Sequence, residues 1–504
     1  MILKKENLNR LKRSENLSLA RVDSFDLPEK VLQFGTGVLL RGLPDYFIDK
    51  ANREGIFKGR IVIVKSTEKG STDDFKIQDS LYTIGIRGIE EGQKIEENII
   101  CSSVSRVLTA QNDWNAILDV AASVDLQIVI SNTTETGIQI SEDDIKTGTP
   151  KSFPGKLLAL LYHRYNAFNG DESRGLVILP TELISDNGIK LKDIVYELAK
   201  QNGLDKAFIQ WLGINTFCNT LVDRIVPGKP DESSLNALEV ELGYRDELLI
   251  FTEVYRLWAI EGDDRVKKVL SFEQSDAGVV ITPDITIYRE LKLRLLNGTH
   301  TLSCAAAFLS GIDTVCEAMN DPDISGFISS LMQDELVRAI PYPVNSEQAL
   351  QFSNRVLDRF RNPFIKHQWL SISINYTLKL KMRVIPVLLC HYKNYKNVPE
   401  SIAFGFAAYL RFMKTDKMDG AYFGISNGNH YRIEDEWAEY YSGLWLNHHS
   451  DEVVIRSLSN YDIWNADLSE LPGFVSSVKN HLLNIEEMGV KEAIKQIKKS
   501  FPVL

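Results

Sequence analysis

Four short runs in the first half of the chain set apolar residues side by side and then stop at polar or glycine-bearing segments. They are Val31-Leu32-Gln33-Phe34, Ile61-Val62-Ile63-Val64, Leu126-Gln127-Ile128-Val129-Ile130 and Leu176-Val177-Ile178-Leu179. Runs this short and rich in β-branched residues predict strands buried on both faces. Helical stretches lie between them, which predicts a parallel sheet covered on both sides. After Pro283 apolar residues recur at helical spacing instead, in 327–332, 349–360, 402–412 and 437–446, with turns at Asn362-Pro363 and Asn427-Gly428 between them. The pattern therefore predicts an α/β domain over 1–282 and a mainly α-helical domain over 283–504. The stretch 415–432 predicts an exposed loop, and no internal repeat is visible. At 504 residues the chain is too long for one ordinary core.

Composition narrows the function classes more than the fold. Apolar residues at 44% and charged residues at 25% are those of a folded globular chain. A formal charge of −11 argues against a nucleic-acid surface, which needs clustered Lys and Arg, but leaves room for an anionic substrate in a local pocket. No run approaches the roughly 18 apolar residues of a membrane span, and 1–21 holds no signal-peptide core. The five cysteines are scattered without a CxxC pair, which predicts reduced thiols and a cytoplasmic location. The histidines show no metal-ligand spacing, so no metal is expected.

Two stretches carry candidate chemistry. Phe34-Gly35-Thr36-Gly37-Val38-Leu39-Leu40-Arg41-Gly42 follows the first strand as a tight turn, and its glycines would let backbone N–H groups approach a pyrophosphate. The third glycine of GxGxxG is missing, because Leu40 stands there. Pro44 fits only the first turn of a helix, so the helix through Tyr46, Phe47 and Ile48 is expected to start late. After the second strand, Lys65 stands where an acid often binds ribose hydroxyls and could meet a 2′-phosphate; the acid itself comes late, at Glu68. Polar segments beginning with Ser131-Asn132 and with Thr181-Glu182 close the third and fourth strands. Such segments are either ligand-binding loops or helix caps. The second stretch is Leu291-Lys292-Leu293-Arg294-Leu295-Leu296-Asn297-Gly298-Thr299-His300. In an α-helix, Lys292, His300 and Asn297 would fall at roughly 0°, 80° and 140°, on one face. A lysine that exchanges a proton with an alcohol, beside an amide and an imidazole that hold its oxygen, is a possible oxidoreductase site.

Together these stretches resemble the polyol-specific long-chain dehydrogenases, the mannitol dehydrogenase family, over nearly the whole chain. The family's FGxGxFxRG is matched by Phe34 to Gly42, with Leu39 in place of the aromatic. Its K-x-R-x-L-N-G-x-H is matched at Lys292, Arg294, Leu296, Asn297, Gly298 and His300. Val222-Asp223-Arg224-Ile225 matches as well, as does 253–260 through Tyr255 and Trp258, which is expected to be helical. The resemblance implies a Rossmann-like NAD-binding domain, a helical substrate domain with the site between the two, and no metal. It implies Lys292 as general acid/base, with Asn297 and His300 polarising the reacting oxygen. The cofactor would lie on Phe34, Gly35, Thr36, Gly37, Val38, Leu39, Arg41, Ser131 and Asn132.

Within the family, a subgroup acting on sugar acids is resembled through Ser131 to Glu135, Pro180 with Glu182-Leu183-Ile184, Phe208 to Leu212 and Phe360 to Gln368. This implies NADH-linked reduction of D-tagaturonate to D-altronate in hexuronate catabolism; the alternatives are a fructuronate-reducing or mannitol-oxidising member, or a silent NAD-binding sensor. Where mannitol-specific members carry an asparagine, Glu182 stands here, facing either a substrate hydroxyl or Lys292. Lys379 is the first choice for the substrate carboxylate or a terminal hydroxyl, and His367, Lys366 and Arg361 are second choices. Asp223 binds a hydroxyl or holds Arg224. The expected partners are a small sugar acid and at most a second copy of the chain, as monomer or homodimer, with no nucleic acid and no membrane.

Overall fold

The computed structural model describes the chain except residues 13, 68–69, 134–136 and 501–504, and the side chains of 498–500. Glu68 and the far part of the loop after Asn132 thus lie outside the described residues. The chain divides into two compact units, Met1–Gly88 with Lys94–Ile285, and Ile89–Gln93 with Thr286–Leu504.

The first unit is built on a six-stranded sheet. Its strands are β1 (Glu29–Phe34), β2 (Arg60–Lys65), β3 (Val104–Thr109), β4 (Ile128–Ser131), β5 (Val177–Pro180) and β6 (Thr216–Phe217). They run in the order β3-β2-β1-β4-β5-β6, and every pair is parallel. All four apolar runs read from the sequence are strands here. Their residues are buried on both faces: Val31, Ile61, Ile63, Ile128 and Ile130 enter one core, and Leu32, Phe34, Val62, Val64 and Val129 enter the other. This strand order reverses direction between β1 and β4, and α/β sheets bind ligands at the carboxyl ends of strands at such a point.

Two smaller sheets complete the unit. Leu17–Ser18, Gln93–Cys101, Tyr82–Glu90 and Ile250–Glu253 form one; Thr220–Asp223, Leu257–Glu261 and Val279–Thr282 form the other. The segment 253–260 is therefore not a helix but the end of one strand and most of another. Trp258 and Ile260 face the core together, at the two-residue spacing of a strand.

The second unit is mainly helical. Helix Glu400–Phe412 is buried almost all round, as a central helix should be. Helix Gly298–Leu309 packs on it at Gly405, where a Cβ would lie 2.7 Å from Leu302 Cδ2. The expected loop over 415–432 is instead an antiparallel sheet of Thr415–Met418, Ala421–Ser426 and Asn429–Ile433. Asn427 and Gly428, both at positive φ, make its two-residue turn. Among the described residues, no helix is long and apolar enough to cross a membrane.

Candidate active site

In the first unit the chain leaves β1 through Gly35, Thr36 and Gly37 and enters a short helix, Val38–Gly42. Gly35 has φ +131°, a conformation that side chains rarely adopt, and its N–H donates to Val64 O at 3.0 Å. A Cβ there would lie 3.0 Å from Leu40 Cδ1 and 3.3 Å from Asn132 O, whereas one on Gly37 would meet nothing within 4 Å. No side chain caps the helix. Open N–H groups beside two glycines fit the pyrophosphate of a dinucleotide.

The helix starts directly after Gly37, earlier than Pro44 led us to expect. It breaks at Leu43, with φ −131° and ψ −76°, and Pro44 opens a second helix, Pro44–Arg53. Leu40 is fully buried. The close approach of a third glycine is made at Gly42, where a Cβ would come 2.8 Å from Thr252 Cγ2 and 3.0 Å from Val226 Cγ2. The Arg41 side chain turns inward. Its Nη1 donates to Leu248 O at 2.5 Å, and its guanidinium lies over the rings of Tyr82 and Phe75. Phe34 packs against Phe153, and Val38 and Leu39 lie on the core while staying partly exposed.

Ser131 and Asn132, at the end of β4, meet this turn: Asn132 N–H donates to Phe34 O at 3.2 Å. Glu182 belongs to the same cluster. Its carboxylate accepts from Ser131 Oγ (3.2 Å), Thr133 N–H (2.8 Å) and Thr133 Oγ (3.0 Å). Burial raises its pKa, and those hydrogen bonds oppose the shift. Asn187 anchors the neighbouring loop by donating to Pro180 O, Glu182 O and Thr220 O. Asp223 is buried at the end of its strand. Its neighbour Arg224 donates to Gly42 O at 2.6 Å and Glu253 O at 3.0 Å and lies over the Tyr46 ring, tying the nucleotide turn to the small sheet.

In the second unit, Lys292–Asn297 is a π-helical turn, set between the α-helices Thr286–Leu291 and Gly298–Leu309. Gly298 N–H accordingly reaches back to Leu293 O. The α-helical angles expected for the motif do not apply. In i→i+5 winding, residues five apart become neighbours on successive turns, so Lys292 and Asn297 share one side more closely. π-turns are rare and often mark functional sites. Lys292 and Asn297 are half-buried. Arg294, the motif's other cation, pairs with Glu290 at 2.9 Å and donates to Met382 O (2.5 Å) and Arg383 O (3.0 Å). It laces the motif to helix Tyr376–Arg383.

His300 stacks on Phe360 with ring centres 4.2 Å apart, and His367 (5.0 Å) and Trp369 (6.0 Å) stand edge-on to it. Burial holds its pKa well below 6.5, and the charges of His367, Arg359 and Arg383 add to the effect. It is a neutral imidazole. His367 is also held low, by burial and then by Lys379 and Arg359. Lys379 donates to Ile372 O at 2.9 Å and is lowered by burial and by Arg383. The structure thus gathers His300, His367 and Lys379 around cations that sequence reasoning passed over, Arg359 and Arg383. Arg383 was within reach, because it lies one helical turn beyond Lys379. Lys366 and Arg361 are exposed, and Arg361 pairs with Asp358 at 3.4 Å. Among the described residues, no group of three or more His, Cys, Asp or Glu could hold a metal ion.

Two family models match the chain, the mannitol dehydrogenase Rossmann domain over 29–274 and the mannitol dehydrogenase C-terminal domain over 284–486. The chain is 38% identical to an altronate oxidoreductase of Bacillus subtilis (strain 168), over 93% of this chain and 95% of that protein. It is 37% identical to those of Halalkalibacterium halodurans (95% and 94%) and Escherichia coli O7:K1 (93% and 97%). In fold it is similar to Pseudomonas fluorescens mannitol 2-dehydrogenase, solved as a ternary complex with NAD and D-mannitol. The TM-score is 0.67 at 24% identity, covering 99% of this chain and 100% of that one. A D-sorbitol dehydrogenase in substrate-free form gives 0.75 at 22% identity, covering 98% and 100%.

Proposed function

The chain belongs to the mannitol dehydrogenase family, and on that premise we propose that it reduces D-tagaturonate to D-altronate with NADH, reversibly, in hexuronate catabolism. The observation that carries this reading is its 37–38% identity, along nearly its whole length, to altronate oxidoreductases. It would act in the cytoplasm on a free sugar acid, as a monomer or homodimer and without a nucleic-acid or membrane partner.

The uncapped turn Gly35–Gly37, with Phe34, Thr36, Val38 and Leu39 around it and Ser131 and Asn132 beside it, would hold the dinucleotide. Arg41 supports that turn from inside the core. Bound NADH supplies the hydride. Lys292 gives a proton to the substrate oxygen as negative charge develops there, and takes it back in the oxidising direction. Asn297 and neutral His300 donate hydrogen bonds to the same oxygen, acting where the charge appears. Glu182 holds the loop of Ser131 and Thr133 in shape. Asp223 takes a substrate hydroxyl, and Lys379 with His367 meets the acid end of the substrate.

NADH oxidation followed by absorbance with D-tagaturonate, D-fructuronate and D-fructose tests the reading. Turnover fastest on D-tagaturonate is expected. Faster turnover of either other ketose would reassign the substrate, and NADH binding without turnover of any would make the chain a sensor. Lys292→Ala should lose about 10²–10⁴ in kcat while still binding NADH. Retained activity would remove Lys292 from its role.

A further inference from the structure

Among the described residues, two of the cations near His300, Lys379 and Arg383, stand close together without an ion-pair partner, although the charge of Asp435 reaches Lys379. Lys379 and Arg383 lie one turn apart on helix Tyr376–Arg383, both half-buried. Lys379 has one hydrogen bond, to Ile372 O at 2.9 Å; Arg383 has one, from Nη1 to Thr301 Oγ at 3.0 Å. Among the described residues, neither has a carboxylate within ion-pairing distance. Thr301 passes its own hydroxyl proton to Asn297 O at 2.7 Å, so the Arg383 guanidinium stands on the turn that carries Asn297 and His300. Positive charges crowded together and partly desolvated are costly unless an anion joins them. Burial lowers His300, His367, Lys379 and Arg383, and neighbouring positive charge adds to it in the first three.

Arg383 is the better built of the two for a planar anion. Its backbone carbonyl, with that of Met382, is held by Arg294, and its Nη1 is fixed on Thr301. Nε and Nη2 have no protein acceptor and are not sealed from solvent. They form the free edge of a rigid fork, which matches two carboxylate oxygens in a way an ammonium cannot. Lys379 adds a point charge beside it.

We propose that Arg383 reads the substrate's carboxylate through Nε and Nη2, with Lys379 as supporting charge, and so selects sugar acids over neutral ketoses. This rests on the reading of the chain as a D-tagaturonate reductase. Steady-state kinetics of the full-length wild type, Arg383→Gln and Arg383→Lys should separate the two statements. In Arg383→Gln the KM for D-tagaturonate should rise about 100-fold, the size expected when one side of a partly buried charge pair is removed. The kcat should change far less, since the carboxylate is bound equally in ground and transition states. Arg383→Lys should recover part of the loss, and the preference for D-tagaturonate over D-fructose should collapse in Arg383→Gln alone. Unchanged NADH affinity and melting temperature establish that the variant is folded. Calorimetric binding of D-altronate supplies a readout that needs no turnover. If the wild type reduces D-tagaturonate and Arg383→Gln keeps its KM within threefold, the inference is overturned and the function stands. If the wild type reduces no sugar acid but binds D-altronate through Arg383, the function falls and the anion site stands. If D-altronate binds wild type and Arg383→Gln equally, the inference is overturned whatever the turnover.

Discussion

His300 has two nitrogens in different settings. Nδ1 is buried and has no hydrogen-bond partner, while Nε2 is not sealed off. An orphaned N–H is costlier to bury than an orphaned lone pair, so the single proton of the neutral ring belongs on Nε2. That nitrogen is then the donor available to a substrate oxygen. The same burial has a stability consequence whose sign is fixed. The folded pKa lies below the ordinary 6.5, so the contribution of His300 is complete above that pH and is lost as pH falls through it towards the folded value. His300→Phe keeps the stack on Phe360 and removes both nitrogens. Its kcat/KM on D-tagaturonate should fall about 100-fold, as for loss of an oxyanion donor. Its melting temperature should fall less between pH 7.5 and 5.5 than that of the wild type. Equal losses in the two proteins would mean that His300 does not titrate as a buried neutral group.

At the scale of elements, Gly42 does the work that GxGxxG assigns to its third glycine, two residues late. An added methyl would be driven into Thr252 and Val226, β-branched side chains with little freedom to move aside. Gly42→Ala should therefore cost about 1–3 kcal/mol of stability by overpacking and weaken NADH binding by displacing the turn; Leu40→Ala, which leaves a cavity instead, provides the comparison. Wild-type NADH affinity in Gly42→Ala would detach the packing from the cofactor site. The apolar strands of the main sheet were legible because both faces are buried, so their sequences are nearly continuous apolar runs. The sheet over 415–433 was not, because little of it is buried and only the short step from Tyr431 to Ile433 alternates. Only its Asn427-Gly428 turn stood out. The segment 253–260 misled for the opposite reason: short apolar runs fit helix and strand alike. The π-turn at Lys292 has no signature in composition. Lys292, Asn297 and His300 were readable as a motif, and Lys379 and His367 through the resemblance, but Arg359 and Arg383 join them through tertiary folding, with only the four-residue step from Lys379 to Arg383 visible beforehand.

At the scale of the whole molecule, the expected border at 282/283 becomes a statement about cooperativity. The first unit has its own cores: Val31, Phe47, Ile63 and Trp258 belong to one, Leu32, Leu157, Leu160 and Phe208 to another. The second buries Leu302, Trp369, Phe404, Phe406 and Trp464 within its helices. Segments with separate cores can melt separately, and a ligand raises only the transition of the part that binds it. Calorimetry of the full chain should resolve two transitions. NADH at 100 times its Kd should stabilise the one belonging to the N-terminal unit by about 2.7 kcal/mol, a rise of about 5 °C for a domain of this size. D-Altronate alone should move the other, if Arg383 and Lys379 are its anchors. Trp114, Trp211 and Trp258 sit in the N-terminal unit and Trp369, Trp437, Trp445 and Trp464 in the C-terminal one, so replacing one set or the other with Phe assigns the transitions by fluorescence. A single transition, raised as a whole by NADH alone, would show that the 1–282 and 283–504 segments do not fold as independent domains.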